Sequence, residues 1–128
     1  MEKIEYDRLA SEIVSACIEV HKAMGPGLLE KVYELCLMKE LELRGIQVES
    51  QVEVNLMYKG FELGKTFAVD ILVEKEIMLE LKAVETMHPV FEFQLISYLK
   101  LGDKRLGFLI NFNVPLMKQG IQRRVNKF

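Results

Sequence analysis

Residues 67 to 84 read FAVDILVEKEIMLELKAV. Two apolar runs of strand length flank the charged segment 74–76, a pattern typical of a buried β-hairpin. Three charged residues nevertheless lie inside the runs: Asp70, Glu80 and Lys82. If 74–76 is a three-residue turn, positions whose numbers add to 150 pair across the hairpin. Asp70 then lies directly opposite Glu80, and Lys82 lies two residues further on, on the Glu80 face of its strand.

Two carboxylates that face each other in apolar surroundings repel each other, and each loses hydration. One lysine cannot neutralise both, whereas a divalent cation that prefers oxygen ligands, such as Mg²⁺, can. The structural alternative is a buried pair of Glu80 and Lys82, with Asp70 solvated at the end of the sheet. The pattern of residues leaves both interpretations open.

The composition bounds the class of protein. Half of the 128 residues are hydrophobic and 28% are charged, which fits one folded domain over residues 1–128. The net charge of −2 indicates no strongly basic surface, so any binding to DNA or RNA depends on local groups and a metal. We expect no membrane segment, because the start of the chain and the rest of it lack a long apolar run. Cys17 and Cys36 are expected to be reduced thiols, which favours a cytoplasmic protein.

Hydrophobic periodicity predicts an α/β or α+β domain with the element order α-α-β-β-β-α-β and one mixed sheet. Apolar residues at helical spacing predict three helices, which cover residues 5–24, 28–44 and 89–101. Alternating apolar and polar residues predict four strands, which cover residues 48–58, 61–73, 77–84 and 106–112. The second strand is expected to be interrupted at Gly64. The pattern does not determine the type of element that holds Ile121 and Val125.

Two motifs resemble those of known families. Asp70, followed after nine residues by Glu80-Leu81-Lys82, is similar to the D…(D/E)-x-K signature of the PD-(D/E)XK nuclease superfamily. Residues 27–33, GLLEKVY, match the motif that names the GxxExxY family of small prokaryotic proteins. The resemblance to that family covers residues 8 to 125 and includes the segments VHKAMGPGLLEKVYE, ELKAVE, QLISYLKL and GFLINFN. Val69 departs from the signature, which has proline there, but that position supplies no ligand.

The resemblance implies a restriction-endonuclease-like core and a metal-dependent nuclease that hydrolyses phosphodiester bonds of DNA or RNA. Its implied cofactor is Mg²⁺ or Mn²⁺, and its implied partner is nucleic acid. The implied metal ligands are the side chains of Asp70, Glu80 and Glu30 and the main-chain carbonyl of Leu81. The implied role of Lys82 is to orient or activate the attacking water and to offset negative charge on the phosphate.

Gln94 and Tyr98 resemble a Q-x-x-x-Y motif of exonuclease-like branches, in which it supports the site or binds nucleic acid. Their spacing places both side chains on one face of a helix. The alternatives are an ordinary polar surface residue for Gln94 and a core aromatic for Tyr98. Glu30 could likewise only favour a helix N-terminus through the helix dipole.

A non-cleaving nucleic-acid- or protein-binding module with a nuclease-like fold is the alternative function. The small size and the modest negative charge favour this module, whereas the complete set of site residues favours an enzyme. A structural ion-pair network is a third interpretation. A homodimer or a larger protein partner also stays open, because exposed sheet edges can pair with another chain.

Overall fold

The computed structural model describes residues 1–127, which form a mixed five-stranded sheet with helices on both faces. The helices are α1 (Lys3–Met24), α2 (Glu30–Leu43) and α3 (Pro89–Leu101). The strands are β1 (Val48–Tyr58), β2 (Phe61–Val73), β3 (Ile77–Lys82), β4 (Leu106–Asn111) and β5 (Ile121–Val125), in that spatial order. The predicted mixed α/β architecture is confirmed. The untyped C-terminal element proves to be a short 3₁₀ helix, Met117–Gly120, followed by β5.

Two hydrophobic layers cover the two faces of the sheet. On one face α1 and α2 pack against residues of the central strands that include Ile71 and Leu79. On the other face α3 packs through Leu95 and Leu99 onto Met78. Because both faces of the central strands are covered, β3 and β4 are almost entirely buried. They pair in parallel, as strands joined by a helical crossover do. None of the helices within residues 1–127 combines the length and the apolar content that a membrane span requires.

The β2–β3 hairpin has the predicted register. Its antiparallel pairs all have numbers that add to 150: Ile71 with Leu79, Leu72 with Met78, and Val73 with Ile77. The three-residue turn contains no glycine, and Glu74 and Lys75 adopt left-handed backbone angles of φ 50° and 60° instead. The turn that fixes the register of the two charged positions is therefore the one inferred from the sequence.

The prediction of a break at Gly64 is wrong, because β2 continues through this residue. The pairing of β2 with β1 instead changes register twice, between Val54 and Asn55 and between Asn55 and Met57. Gly64 has φ 94°, a conformation that glycine adopts readily and that allows the extra residue of a β-bulge. The long β1–β2 ribbon thus bends and twists without ending.

The third strand ends at Lys82, two residues before the predicted end at Val84. Beyond it, the buried side chain of Asn111 on β4 replaces a strand partner. Its amide oxygen accepts the Val84 N–H at 3.1 Å and its amide nitrogen donates to the Val84 carbonyl at 3.0 Å. The same oxygen accepts the Asn113 N–H at 3.2 Å. Asn111 therefore fixes the chain that leaves the charged end of β3.

We expect Asn111→Ala to lower the free energy of unfolding by about 3 kcal/mol, because it removes three hydrogen bonds and leaves buried backbone groups unpaired. Urea denaturation measures this change. Asn55→Ala is the control, since the Asn55 side chain makes no hydrogen bond within residues 1–127, and its effect should stay below about 1 kcal/mol. Equal effects of the two substitutions would contradict this role of Asn111.

Candidate functional site

The candidate site lies where β2 and β3 separate. The backbone pairs end at Ile71 opposite Leu79, and carboxylates accept the next N–H groups. The Asp70 N–H donates to Glu80 Oε1 at 3.3 Å, and the Leu81 N–H donates to Asp70 Oδ2 at 2.8 Å. Each carboxylate is thereby fixed to the backbone of the facing strand. The two acidic residues that the register placed opposite each other do meet in the structure.

The regular alternation of β2 breaks at Asp70. Val69 packs in the α3 layer, whereas Ile71 packs in the layer of α1 and α2, although strict alternation would put both on one face. On β1, Gln51 lies between residues paired with Val69 and Ile71, so it stands beside Asp70, and it has φ 51°. A left-handed residue inside a strand rotates the ribbon, which explains why the faces change at this point.

Burial and mutual repulsion perturb the carboxylates. Burial first and the charge of Asp70 second raise the pKa of Glu80 to about 8, against the opposing effects of the Asp70 N–H and of Lys82. Burial also raises the pKa of half-buried Asp70, against the opposing effects of the hydrogen bonds from Leu81 and Gln51. Loss of hydration and the charge of Asp70 raise the pKa of Glu30. Asp70, Glu80 and Glu30 thus lie in one electrostatic field, in which the positive charge does not balance the negative charge of the three carboxylates.

Lys82 is the positively charged side chain that acts on these three carboxylates. It lowers the pKa of Asp70, Glu80 and Glu30, so its ammonium lies close enough to act on all three carboxylates. Its Nζ lies 4.4 Å from the centroid of the Phe91 ring on α3. Within residues 1–127, Lys82 forms no salt bridge with Glu80. The structural alternative of a buried Glu80–Lys82 pair is therefore wrong.

Tyr33 sets the start of α2 and with it the place of Glu30. Its buried hydroxyl donates to the Gly25 carbonyl and accepts the Leu28 N–H at 3.1 Å, which holds Leu28 outside the helix. The helix therefore begins at Glu30, not at residue 28 as predicted. The Tyr33 ring stacks on Phe112 with centroids 4.5 Å apart, which ties the start of α2 to the core. Glu30 itself is exposed at the rim of the site.

The helix α3 brings one of its two candidate residues to the carboxylates. The ring of Tyr98 stacks on Phe67 with centroids 4.2 Å apart. Burial raises the pKa of Tyr98, and Glu80 and Asp70 raise it further, so its hydroxyl lies in their field. Gln94, one turn earlier, is exposed and makes no hydrogen bond within residues 1–127. The two residues share a helix face, but only Tyr98 reaches the acidic residues.

Two residues of the site escaped the sequence analysis. Gln51 donates from its amide nitrogen to Asp70 Oδ1 at 3.3 Å and to Glu34 Oε1 at 2.8 Å. Glu34 is only 5% exposed, and its other oxygen lies 2.7 Å from the Lys31 ammonium. The sequence holds one signal for Glu34, its position one turn after Glu30 on the same helix. It holds none for Gln51, which reads as a polar residue on an edge strand.

The donor set has the chemistry of a site for a hard cation. Three carboxylates with raised pKa lie in one field, and the Leu81 carbonyl belongs to the same stretch of β3. In the described part of the chain, however, no group of three or more His, Cys, Asp or Glu side chains is arranged to hold a metal ion. The residue types nevertheless fit a divalent cation, because a carboxylate oxygen that accepts one N–H keeps a lone pair for a metal.

Glu80→Gln should stabilise the protein in the absence of metal at high pH. The folded-state pKa of about 8 lies above the ordinary value of 4.5, so the stability contributed by the protonated carboxyl is complete below pH 4.5 and lost as pH rises through 8. Gln keeps an acceptor for the Asp70 N–H without this loss. We expect the variant to be more stable by on the order of 2 kcal/mol above pH 8, and the difference to vanish near pH 4.5.

Chemical denaturation in EDTA from pH 4.5 to 9 measures this difference. Glu85→Gln is the matched control, because Glu85 is exposed just beyond β3, and it should leave the pH profile unchanged. If Glu80→Gln destabilised the protein at every pH, the carboxylates would form a structural network, as the third interpretation holds.

Comparison with known proteins agrees with the fold. A family model of the PD-(D/E)XK nuclease superfamily matches residues 7–124. Searches of curated proteins and of solved structures gave no significant match. Nucleases of this superfamily generally use divalent metal ions, and membership suggests nucleic-acid binding. The chain belongs to the PD-(D/E)XK nuclease superfamily.

Proposed function

We propose that this protein is a metal-dependent nuclease that hydrolyses phosphodiester bonds of DNA or RNA with Mg²⁺ or Mn²⁺. One observation carries the proposal. At the fork of β2 and β3, the point beyond Ile71 and Leu79 where the two strands separate, Asp70, Glu80 and Lys82 come together in a chain of the nuclease superfamily. The finer assignment to the GxxExxY family, from residues 27–33, is part of the proposal. So is the organisation of residues 1–128 as a single domain.

The cation would be held by Asp70, Glu80, Glu30 and the main-chain carbonyl of Leu81. A bound divalent cation supplies a Lewis acid and lowers the pKa of a bound water. Asp70 is already oriented by the Leu81 N–H. Glu80, with its pKa near 8, holds a proton at neutral pH in the cation-free site and must release it before it can act as a ligand. Glu30 at the rim is the ligand open to solvent.

Lys82 would act on the water and on the phosphate. Its stem is half-buried and its ammonium packs against the Phe91 ring, which limits where Nζ can lie. From this position the positive charge can hold an attacking water by a hydrogen bond and offset the negative charge that develops on the phosphate. The same charge favours approach of the phosphate backbone to three acidic residues.

Tyr98 and Gln94 would support substrate binding from α3. The Tyr98 hydroxyl lies in the field of Glu80 and Asp70, where it can donate a hydrogen bond to the site or to a phosphate. Gln94 is exposed and free to contact nucleic acid. A homodimer or a larger partner can add to this surface, because β1 and β5 are the edges of the sheet. The free thiols of Cys17 and Cys36 support a reducing, cytoplasmic location.

A cleavage panel tests the proposed reaction. The purified protein would be incubated with linear and circular double-stranded DNA, single-stranded DNA and RNA, in Mg²⁺, Mn²⁺ or EDTA. We expect cleavage of at least one substrate with metal and none in EDTA. Asp70→Asn and Lys82→Ala should each lower the rate at least 100-fold, while Lys39→Ala, an exposed lysine of α2, should not. Full activity of both site variants would show that the site is wrongly assigned.

Substitutions of Tyr98 and Gln94 on α3 should affect different kinetic constants. Tyr98→Phe keeps the stack on Phe67 and removes only the hydroxyl, so we expect kcat to fall about tenfold with little change in stability. Gln94→Ala removes an exposed contact, so we expect KM to rise and kcat to stay unchanged. Steady-state cleavage rates measure both effects. Unchanged kcat and KM in both variants would show that Gln94 is an ordinary surface residue and Tyr98 an ordinary core aromatic.

The alternative is a non-cleaving nucleic-acid- or protein-binding module. It is favoured by the fact that, within residues 1–127, no group of three or more His, Cys, Asp or Glu side chains is arranged to hold a metal ion. Its expected signature is binding to nucleic acid in EDTA that Glu80→Gln leaves unaffected. Gel-shift titration of the wild type and of Glu80→Gln, with and without Mg²⁺, distinguishes this module from the nuclease.

A further inference from the structure

Gln51 connects three elements around the candidate site. From β1, its amide nitrogen donates to Glu34 Oε1 on α2 at 2.8 Å and to Asp70 Oδ1 on β2 at 3.3 Å. A primary amide nitrogen carries two hydrogens, so both donors of Gln51 are used. The residue itself is exposed, but the carboxylates it binds are buried or half-buried. Gln51 therefore covers the acidic residues from the solvent side.

With the two bonds from Gln51, each carboxylate accepts one hydrogen bond on each of its two oxygens. Asp70 accepts from Gln51 on Oδ1 and from the Leu81 N–H on Oδ2, so its carboxylate plane is held from both sides. Glu34 accepts from Gln51 on Oε1 and from the Lys31 ammonium on Oε2. Glu34 is thus paired with Lys31 and serves as an anchor for the Gln51 amide.

The backbone of Gln51 is strained to make these bonds. Its φ of 51° lies in the left-handed region inside an 11-residue strand. Only glycine and, less readily, asparagine and aspartate adopt this region without a penalty on the order of 1 kcal/mol. Strain of this kind persists where the surroundings hold the residue in place, and it is concentrated at functional sites. Here it coincides with the break in alternation at Asp70.

We propose that Gln51 is a positioning residue of the cation site, which fixes the Asp70 carboxylate beside β3 and is itself anchored by Glu34. This inference rests on the proposed function, because it concerns the same site. Residues that hydrogen-bond metal-binding carboxylates typically change metal affinity by 10- to 100-fold when they are replaced. Gln51 would act in this way from a strand that carries no residue of the superfamily signature.

Two substitutions test the role of Gln51 without adding backbone strain. Gln51→Asn tolerates a left-handed backbone and keeps the amide, but it is one methylene too short to reach both carboxylates. Gln51→Gly relieves the strain and removes the amide. We expect both variants to bind Mn²⁺ at least tenfold more weakly than the wild type, measured by electron paramagnetic resonance of the free ion. Their free energies of unfolding in EDTA should stay within about 1 kcal/mol of the wild type.

The matched control is Gln47→Asn, the same change at an exposed glutamine just before β1, at the far end of the β2–β3 hairpin from Asp70. It should leave Mn²⁺ affinity unchanged. Loss of affinity without loss of stability separates positioning from a merely structural role. Mn²⁺ affinity of Gln51→Asn and Gln51→Gly equal to that of the wild type would overturn the inference and leave the proposed nuclease intact.

Nuclear magnetic resonance of the side-chain amide distinguishes the two possible failures. In metal-free protein the two Gln51 amide protons should exchange slowly with solvent, and Asp70→Asn should shift their signals. If those signals behave so and the wild type binds neither Mn²⁺ nor Mg²⁺, the proposed function fails and no cation role remains for Gln51. If the amide protons exchange as fast as those of Gln47, the hydrogen bonds themselves are absent and the inference fails alone.

Discussion

The exchange of hydrogen bonds between two carboxylates and two backbone N–H groups is the interaction on which the candidate site depends. Where β2 and β3 part, Glu80 accepts the Asp70 N–H and Asp70 accepts the Leu81 N–H. Each acid is therefore held by the strand opposite to its own. Burial between the helices on both faces of the sheet raises the pKa of both carboxylates. The position of the acids and their protonation follow from one arrangement of the hairpin.

An arrangement of this kind disfavours the folded state in the absence of a cation. Buried carboxylates near one another are tolerated only when protons, hydrogen bonds or a counter-ion compensate them. Here Lys82 is shared among three acids, and Glu80 retains a proton near neutral pH. The left-handed backbone of Gln51 adds strain at the same place. Buried charges and backbone strain at one place are typical of functional sites, since folds seldom keep such destabilising features elsewhere.

The sequence predicted most of the fold because the relevant signals are periodic and local. The register of the β2–β3 hairpin followed from the length of its turn, and the facing of Asp70 and Glu80 followed from the register. The early end of β3 did not follow from the sequence, because Asn111, which replaces a strand partner, lies 27 residues beyond Val84, after helix α3. The contact of Gln51 with Asp70 could not be predicted from the sequence either, since it depends on a positive φ in a residue type that rarely adopts one.

The most direct test of the central claim, that the fork of β2 and β3 is a cation site, is calorimetric titration of Mn²⁺ into the metal-free wild type at pH 7. The titration would be done in two buffers with different ionisation enthalpies. Because the pKa of Glu80 is raised to about 8, we predict saturable binding whose heat depends on the buffer, since binding releases protons. Absence of binding at millimolar Mn²⁺ would contradict the cation site, whereas binding with the same heat in both buffers would contradict only the proton held by Glu80.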